Sequence, residues 1–223
     1  AMQARKELSK EMPVKQVLAE HKTAVVIGML FTWFLTACVV VLILAMPNLL
    51  VGAFGFERAD AFKMQSAAIV MQMLGCILAG LLADRFGAGK VILFGSLAVA
   101  IIAGVFYNSL GHVAPSTVFM LYMLLGLFSG TVGMVSYSMV KMFPAQIRFS
   151  GISFSYNVAY AIAGGITLPL VQWLSLYSNI GAMYYIWVVC VVSFFTAMLY
   201  RAKFEKMDVV ASAVSTPHNP VQD

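Results

Sequence analysis

The feature that most constrains this fold is a series of six apolar stretches, each about as long as a membrane is thick. They cover residues 24–50, 65–83, 91–107, 117–140, 149–176 and 183–200. A helix rises about 1.5 Å per residue, so about 20 residues cross a hydrocarbon core of about 30 Å. Because that core offers no water to the backbone, each stretch must pair its own peptide groups, as a helix does. The chain is also 61% hydrophobic and only 10% charged, which is far from the composition of a soluble domain. We therefore expect an all-α membrane protein with a six-helix transmembrane bundle.

The distribution of basic residues predicts how this bundle is oriented. All but two of the 14 Lys and Arg residues lie before the first span, after the second, after the fourth, or after the sixth. Only Arg58 and Lys63 lie on the other side. The positive-inside rule then places both termini of the segment in the cytoplasm. The net charge of +5 follows from this topology and requires no nucleic-acid partner.

Three parts of the chain can be expected. Residues 1–22 are a basic, polar cytoplasmic linker, and residues 23–200 form the six-helix transmembrane half-domain. Residues 201–223 form a cytoplasmic tail, whose Ser, Thr, Pro and Asn content is typical of disorder.

The titratable side chains argue against an enzyme and against a metal site. The three histidines, at positions 21, 112 and 218, and all nine acidic residues lie outside the predicted spans. The three cysteines lie inside spans with no metal-ligand spacing, as small apolar side chains do: Cys38, Cys76 and Cys190. A catalytic site within the membrane would therefore lack a base. We expect no enzymatic activity, no cofactor and no metal.

Uncharged polar and aromatic side chains take the place of charge inside the spans. An amide or phenol that faces lipid leaves hydrogen-bonding groups unpaired, so such side chains should face other helices or a wet cavity. The residues that we expect to line a solute cavity are Trp33, Gln72, Tyr156, Asn157 and Tyr160.

Small residues in the spans allow two interpretations. Patterns of two small residues four apart, at 126–130 and 161–165, let helices pack closely. In the fifth span, Gly164, Gly165 and Pro169 should loosen the helix at mid-membrane depth, as in the broken helices of transporters. A kink made only for packing would have the same sequence, and both interpretations remain open.

The charged turn between the second and third spans is similar to a known family. Its sequence at 80–90, GLLADRFGAGK, resembles the signature loop of the major facilitator superfamily, which occurs once in each six-helix half. Residues 143–157, followed by Gly164, Gly165, Pro169 and Trp173, resemble the metabolite:proton symporter branch. That branch includes permeases for proline and betaine, 2-oxoglutarate, citrate and shikimate. Residues 13–21 resemble its central linker, so the resemblance covers about 13–200.

The resemblance implies that the chain is the carboxyl-terminal half of a twelve-helix symporter in the inner membrane. Such a protein moves a small organic solute, such as an organic acid or betaine or proline, together with protons by alternating access. Its partners would be the solute, protons, the lipid bilayer and a missing amino-terminal six-helix half. Because the predicted spans contain no acid or histidine, the proton site would belong to that missing half.

The resemblance also assigns the turn the role of a conformational latch between the two halves. The latch residues are Gly80, Asp84, Arg85, Gly87, Lys90 and Arg148. We expect Asp84, Arg85 and Arg148 to form a cytoplasmic charge cluster that favours the outward-facing state. Alternatively, the basic residues only anchor the topology. The turn departs from the family pattern at Ala88 and Gly89, where basic residues are usual.

Two further alternatives remain open at this point. Lys63 could contact a carboxylate solute at the extracellular end of the second span, or it could simply extend to the membrane interface. The chain could also be a self-standing six-helix protein, either a channel-like oligomer or an accessory membrane subunit.

Overall fold

The computed structural model describes residues 13–205 and is helical almost throughout. Its helices are α1 (Pro13–Glu20), α2 (Lys22–Leu44), α3 (Met46–Phe54), α4 (Arg58–Phe86), α5 (Ala88–Ser109), α6 (Pro115–Met142), α7 (Arg148–Tyr177) and α8 (Gly181–Glu205). Six of them, α2 and α4 to α8, are long and apolar enough to cross a membrane. No strand occurs within 13–205. The predicted class and the six spans are therefore confirmed, whereas 1–12 of the predicted linker and 206–223 of the predicted tail lie outside the described residues.

Proline explains why the first predicted span is divided in two. The last seven residues of α2, Cys38–Leu44, are π-helical, and α3 begins directly after Ala45 with a proline in its first turn. Pro47 has no N–H to donate, so it leaves a carbonyl of the preceding turn without a helical donor. The wider π-helical turn accommodates this gap, and the Ala45 N–H bonds the Val40 carbonyl at 2.9 Å.

Two side chains from other helices donate hydrogen bonds to backbone carbonyls at this break. The Gln65 amide donates to the Ile43 carbonyl at 2.9 Å, and the Tyr122 hydroxyl donates to the Leu42 carbonyl at 2.8 Å. These carbonyls lie four and five residues before Pro47, in the turn that lacks a helical donor because proline has no N–H. The end of α2 is thus held by α4 and α6.

Close approach of α4 and α6 depends on glycine. A Cβ at Gly126 would overlap the Ala68 carbonyl, a Cβ at Gly75 would overlap the Leu127 carbonyl, and a Cβ at Gly130 would overlap the Gly75 backbone. The packing interpretation of the 126–130 pattern is therefore confirmed. The pattern at 161–165 behaves differently, because no described atom outside the local backbone of α7 lies within 4 Å of where a Cβ on Gly165 would stand.

Two of the six long helices lie at the outside of the bundle. In the most apolar window of α4 and of α7 only 17% of the residues are buried, against 50% or more in the other four. The inner helices share two hydrophobic cores, one around Phe34, Phe106 and Tyr122 and one around Phe31 and Ile92. Most of the surface of α4 and α7 is therefore left uncovered by this bundle.

The two ends of the bundle differ in charge. We call the end where α2, α5 and α7 begin and α4, α6 and α8 end the basic end. Contacts across it join distant parts of the chain, such as the Lys203 ammonium and the Thr23 hydroxyl at 2.8 Å. Of the basic residues within 13–205 whose side chains the structure describes, all but Arg58 and Lys63 lie at or near this end.

Candidate functional site

A cavity of about 270 Å³ lies between α2, α7 and α8. Trp33 forms part of its wall, together with Ala159 and Ala163 of α7 and Tyr185 of α8. The Trp33 indole N–H donates to the Tyr185 hydroxyl at 2.8 Å, and that hydroxyl shares a hydrogen bond of 2.7 Å with the Thr167 hydroxyl. The result is an aromatic wall whose polar atoms are fixed by one another.

Tyr185 and Thr167 belong to this site although the sequence analysis does not single them out. Tyr185 stands in a run of aromatic residues at the start of α8, where the sequence offers no reason to prefer one ring over the next. Thr167 is fully buried on α7, two residues before Pro169. Only the position of α8 against α2 and α7 brings the two hydroxyls together.

Three of the predicted cavity residues lie together on α7. The rings of Tyr156 and Tyr160 stack at a centroid distance of 5.7 Å with 15° between their planes. Asn157 is exposed, and its amide N–H donates to the Ser153 carbonyl of the same helix at 2.8 Å. The amide oxygen of Asn157 accepts no hydrogen bond from another described residue.

Gln72 lies apart from these residues. It is the middle residue of α4, fourteen positions from Arg58 and fourteen from Phe86. Its side chain is half-buried and makes no hydrogen bond to another described residue. No residue of α4 lines the α2–α7–α8 cavity, so the described chain does not bring Gln72 to Trp33.

The predicted kink residues do not interrupt α7. The helix runs from Arg148 to Tyr177 with Pro169 inside it. Because proline has no N–H, the carbonyl of Gly165 lacks its helical donor, and Gly165 itself is exposed. Whether Gly164, Gly165 and Pro169 act as a hinge remains a prediction.

The turn that follows α4 is built on a glycine with unusual geometry. Gly87 has a φ of 91°, which side chains with a Cβ rarely adopt. Its N–H closes the end of α4 on the Ala83 carbonyl at 2.8 Å, and α5 begins at the next residue. Gly80 has room for a side chain, since a Cβ there would come no closer than 4.0 Å to Met134. Lys90 is exposed in the first turn of α5.

The charged latch residues have separate surroundings. Asp84 is exposed, and the Arg85 guanidinium lies 5.3 Å from the centroid of the neighbouring Phe86 ring. The Arg148 Nε donates to the Phe143 carbonyl at 3.1 Å. Within 13–205 no ion pair involves Asp84, so a cluster of Asp84, Arg85 and Arg148 stays a prediction about the complete protein.

One acidic residue that the sequence analysis does not select lies against this turn. The Glu205 carboxylate, at the end of α8, accepts the Gly89 N–H at 2.7 Å and lies 3.5 Å from the Arg201 Nε. Gly89 is in the first turn of α5, where unpaired N–H groups and the helix dipole favour a carboxylate. A side chain at position 89 would overlap Arg201, which gives a physical reason for glycine at this position.

A second cleft, of about 490 Å³, lies at the opposite end of the bundle. Phe54, Phe56 and Phe119 form its apolar walls, and Lys63 also lines it. The Lys63 ammonium pairs with the Asp60 carboxylate at 2.9 Å, and both side chains are exposed. A carboxylate solute would have to compete with Asp60 for this lysine.

Known proteins match most of this chain. Residues 1–205 match the family described as "Sugar (and other) transporter". The chain is 28% identical over 180 residues to the inner membrane metabolite transport protein YhjE of Escherichia coli (strain K12). The matched region covers 78% of this chain and 41% of that protein. It is 30% identical over 140 residues to the proline/betaine transporter of the same organism, a match that covers 60% of this chain and 28% of that protein. It is 29% identical over 171 residues to the alpha-ketoglutarate permease of that organism, a match that covers 73% of this chain and 38% of the permease. The chain thus spans less than half the length of these relatives.

Proposed function

The chain belongs to the sugar transporter family of the major facilitator superfamily, and on that premise we propose that it is the carboxyl-terminal half of a proton-coupled symporter. Its six helices of membrane-spanning length and apolar composition are consistent with half of such a fold. The similar proteins are transporters, which supports a non-enzymatic role. The solute that we propose is a small organic acid, betaine or proline, the kinds of molecule for which two of these relatives are named.

The observation that carries this proposal is the presence of an exposed amide on one outer helix and a half-buried amide on the other. Gln72 is the middle residue of α4, and Asn157 lies nine residues into α7, or about 14 Å from its start. An amide that faces lipid at this depth leaves hydrogen-bonding groups unpaired, at a cost of several kcal/mol. A second six-helix half, with a wet solute cavity between the two, would cover both side chains.

The chemistry of the site suits a solute that is held by neutral contacts. Trp33, Tyr156 and Tyr160 offer aromatic faces, which attract a quaternary ammonium group through cation–π interaction. Gln72 and Asn157 offer amides that can bond a carboxylate or a carbonyl. The described spans carry no acid or histidine at mid-membrane depth, so we place the proton site in the other half.

We propose that the protein lies in the inner membrane with its basic end in the cytoplasm. The excess of Lys and Arg at that end supports it. Under this orientation the Gly80–Lys90 turn is cytoplasmic, as a latch between two halves requires.

Uptake by the full-length protein in proteoliposomes tests this function. We expect an imposed inward proton gradient to drive uptake of at least one of proline, glycine betaine and 2-oxoglutarate. The variants Gln72→Leu and Asn157→Leu should reduce the uptake at least tenfold, since each removes a proposed solute contact worth about 1.5 kcal/mol or more. Asn108→Leu is the matched control, because that amide bonds the Gly104 carbonyl at 2.8 Å at the far end of α5.

Three results would count against parts of the proposal. Uptake that ignores the proton gradient would reject symport but keep transport. Equal loss of activity in Asn108→Leu and Asn157→Leu would reject the site. A full-length protein with only these six spans would reject the two-half architecture and favour a self-standing six-helix protein.

A further inference from the structure

A cleft of about 470 Å³ lies at the basic end, where α2 begins, α6 ends, α7 begins and α8 ends. Its lining includes three cationic side chains, each from a different helix: Lys141, Arg148 and Lys203. His21 adds a fourth nitrogen-bearing side chain, and Glu20 is the one carboxylate among the lining residues of the described chain. The cleft is therefore a concentration of positive charge built from separate helices.

Each cation keeps donors free for a ligand. Lys203 donates one hydrogen bond, to Thr23 at 2.8 Å, and an ammonium has two more hydrogens. Arg148 uses its Nε on the Phe143 carbonyl at 3.1 Å, which leaves the two terminal nitrogens of the guanidinium. Lys141 lies 5.8 Å from the centroid of the Tyr137 ring. Within 13–205 no carboxylate forms an ion pair with any of the three.

The start of α7 adds a fixed positive end to the same cleft. Arg148 is the first residue of this 30-residue helix, and no side chain of a described residue caps it. The first N–H groups of a helix have no partner within the helix, and its dipole favours an anion at this end. Helix starts with nearby basic side chains are common phosphate sites.

From these contacts we propose that the basic-end cleft binds a phosphate group. The cleft lies at the ends of four membrane helices, which is the level of lipid headgroups. Phe143 and Phe204 give it an apolar side that suits the glycerol backbone of a phospholipid. Basic pockets between membrane helices recognise anionic headgroups in this way. The same donors would accept inorganic phosphate from solution.

A bound phosphate joins four helix ends that this fold otherwise connects by few polar contacts. It would hold the start of α2 and α7 against the ends of α6 and α8. The site is separate from the aromatic cavity, so its occupancy can be tested without any transported solute.

The test is calorimetric titration of the full-length protein in a neutral detergent with two probes, short-chain phosphatidylglycerol and inorganic phosphate. Short-chain phosphatidylcholine is the zwitterionic comparison. We expect Lys141→Gln and Lys203→Gln each to weaken phosphatidylglycerol binding about fivefold, and Lys203→Arg to retain it. Lys22→Gln is the matched control, because it removes an exposed positive charge at the same end from a residue outside the cleft.

The outcomes distinguish a lipid headgroup from inorganic phosphate as the ligand, and both from the absence of a specific site. Tight binding of phosphatidylglycerol with weak binding of phosphate supports a lipid headgroup, and comparable binding of both supports a general phosphate site. Binding that falls equally in Lys22→Gln and Lys203→Gln would show attraction to net charge alone and would overturn the proposal. The proposal also fails if neither probe binds, or if phosphatidylcholine binds as well as phosphatidylglycerol. Size-exclusion profiles of all variants establish that each is folded.

Discussion

Two buried tyrosines of the same core, Tyr107 and Tyr122, differ in whether their hydroxyl groups have a partner. Tyr122 donates to the Leu42 carbonyl at 2.8 Å, beside the break between α2 and α3. The Tyr107 hydroxyl is buried without a hydrogen bond to any described residue. A buried hydroxyl stabilises a fold only when it is bonded, and it destabilises the fold when it is not.

We predict opposite effects when each hydroxyl is removed. Tyr122→Phe should lower the free energy of unfolding by about 1–3 kcal/mol, because the Leu42 carbonyl loses its donor. Tyr107→Phe should leave stability unchanged or raise it. Thermal unfolding of the full-length protein in detergent measures both. Equal losses in the two variants would show that the Tyr107 hydroxyl has a partner in the membrane.

At the scale of single residues, the sequence indicates which side chains need a hydrogen-bond partner, but it does not indicate which residue that partner is. Trp33 lies in the wall of the α2–α7–α8 cavity, where its indole N–H has an acceptor, and its contact with a solute stays a prediction. The acceptor, Tyr185, is 152 residues away in the chain. Nothing in the local pattern of either helix specifies that pairing.

Helix α6 shows how a single element depends on what it packs against. Gly126 and Gly130 lie where the backbone of α4 comes closest, and neither position has room for a Cβ. Gly165 of α7 stands in open space in the described chain. The sequence gives both helices the same small-residue spacing, but only the first helix uses it within this bundle.

We predict that alanine distinguishes these two glycines. Gly126→Ala should destabilise the protein by about 1–3 kcal/mol, because α4 and α6 must move apart to admit a methyl group. Gly165→Ala should be neutral, or stabilising by as much as about 1 kcal/mol, because alanine favours the helix. Chemical unfolding followed by circular dichroism measures the difference. A large loss in Gly165→Ala would instead place another helix against that face in the complete protein.

Helix α5 depends on a carboxylate from the far end of the chain. We predict that Glu205→Gln lowers stability by about 0.3–1 kcal/mol, because the negative charge at the start of the helix is lost. The difference should shrink in part as salt is added, since screening weakens the interaction of a partly exposed charge. Asp84→Asn is the control for stability, because Asp84 is exposed and forms no ion pair in the described residues. A Glu205→Gln effect that does not depend on salt would argue against a charge effect.

The whole molecule is divided between a covered inner group of helices and two uncovered outer ones. Hydrophobic length predicts six spans because the thickness of a bilayer imposes it on any sequence. It does not predict which spans lie outside, since residues that face lipid and residues that face other helices are equally apolar. The exposed amide of Asn157 on α7 and the half-buried amide of Gln72 on α4 are what distinguish those two helices.

The latch is a property of the complete molecule and is tested there. We predict that Asp84→Asn shifts the protein towards the inward-facing state, with lower uptake and greater cytoplasmic accessibility of the cavity. Accessibility can be measured by labelling a cysteine placed at Ala161, an exposed position next to Tyr160, after all native cysteines of the full-length protein have been replaced. Unchanged uptake together with unchanged labelling would leave the basic residues of the turn as topological anchors only.

The break between α2 and α3 has a consequence for how the protein is made. When the first span enters the membrane, Pro47 leaves a carbonyl in the turn before it without a donor. The side chains that bond the Ile43 and Leu42 carbonyls stand 22 and 80 residues further along the chain. On the ribosome, Gln65 therefore arrives with the second span and Tyr122 only with the fourth. Helix α2 is therefore completed only after α4 and α6, which follow it in the chain, and its final geometry depends on their correct insertion.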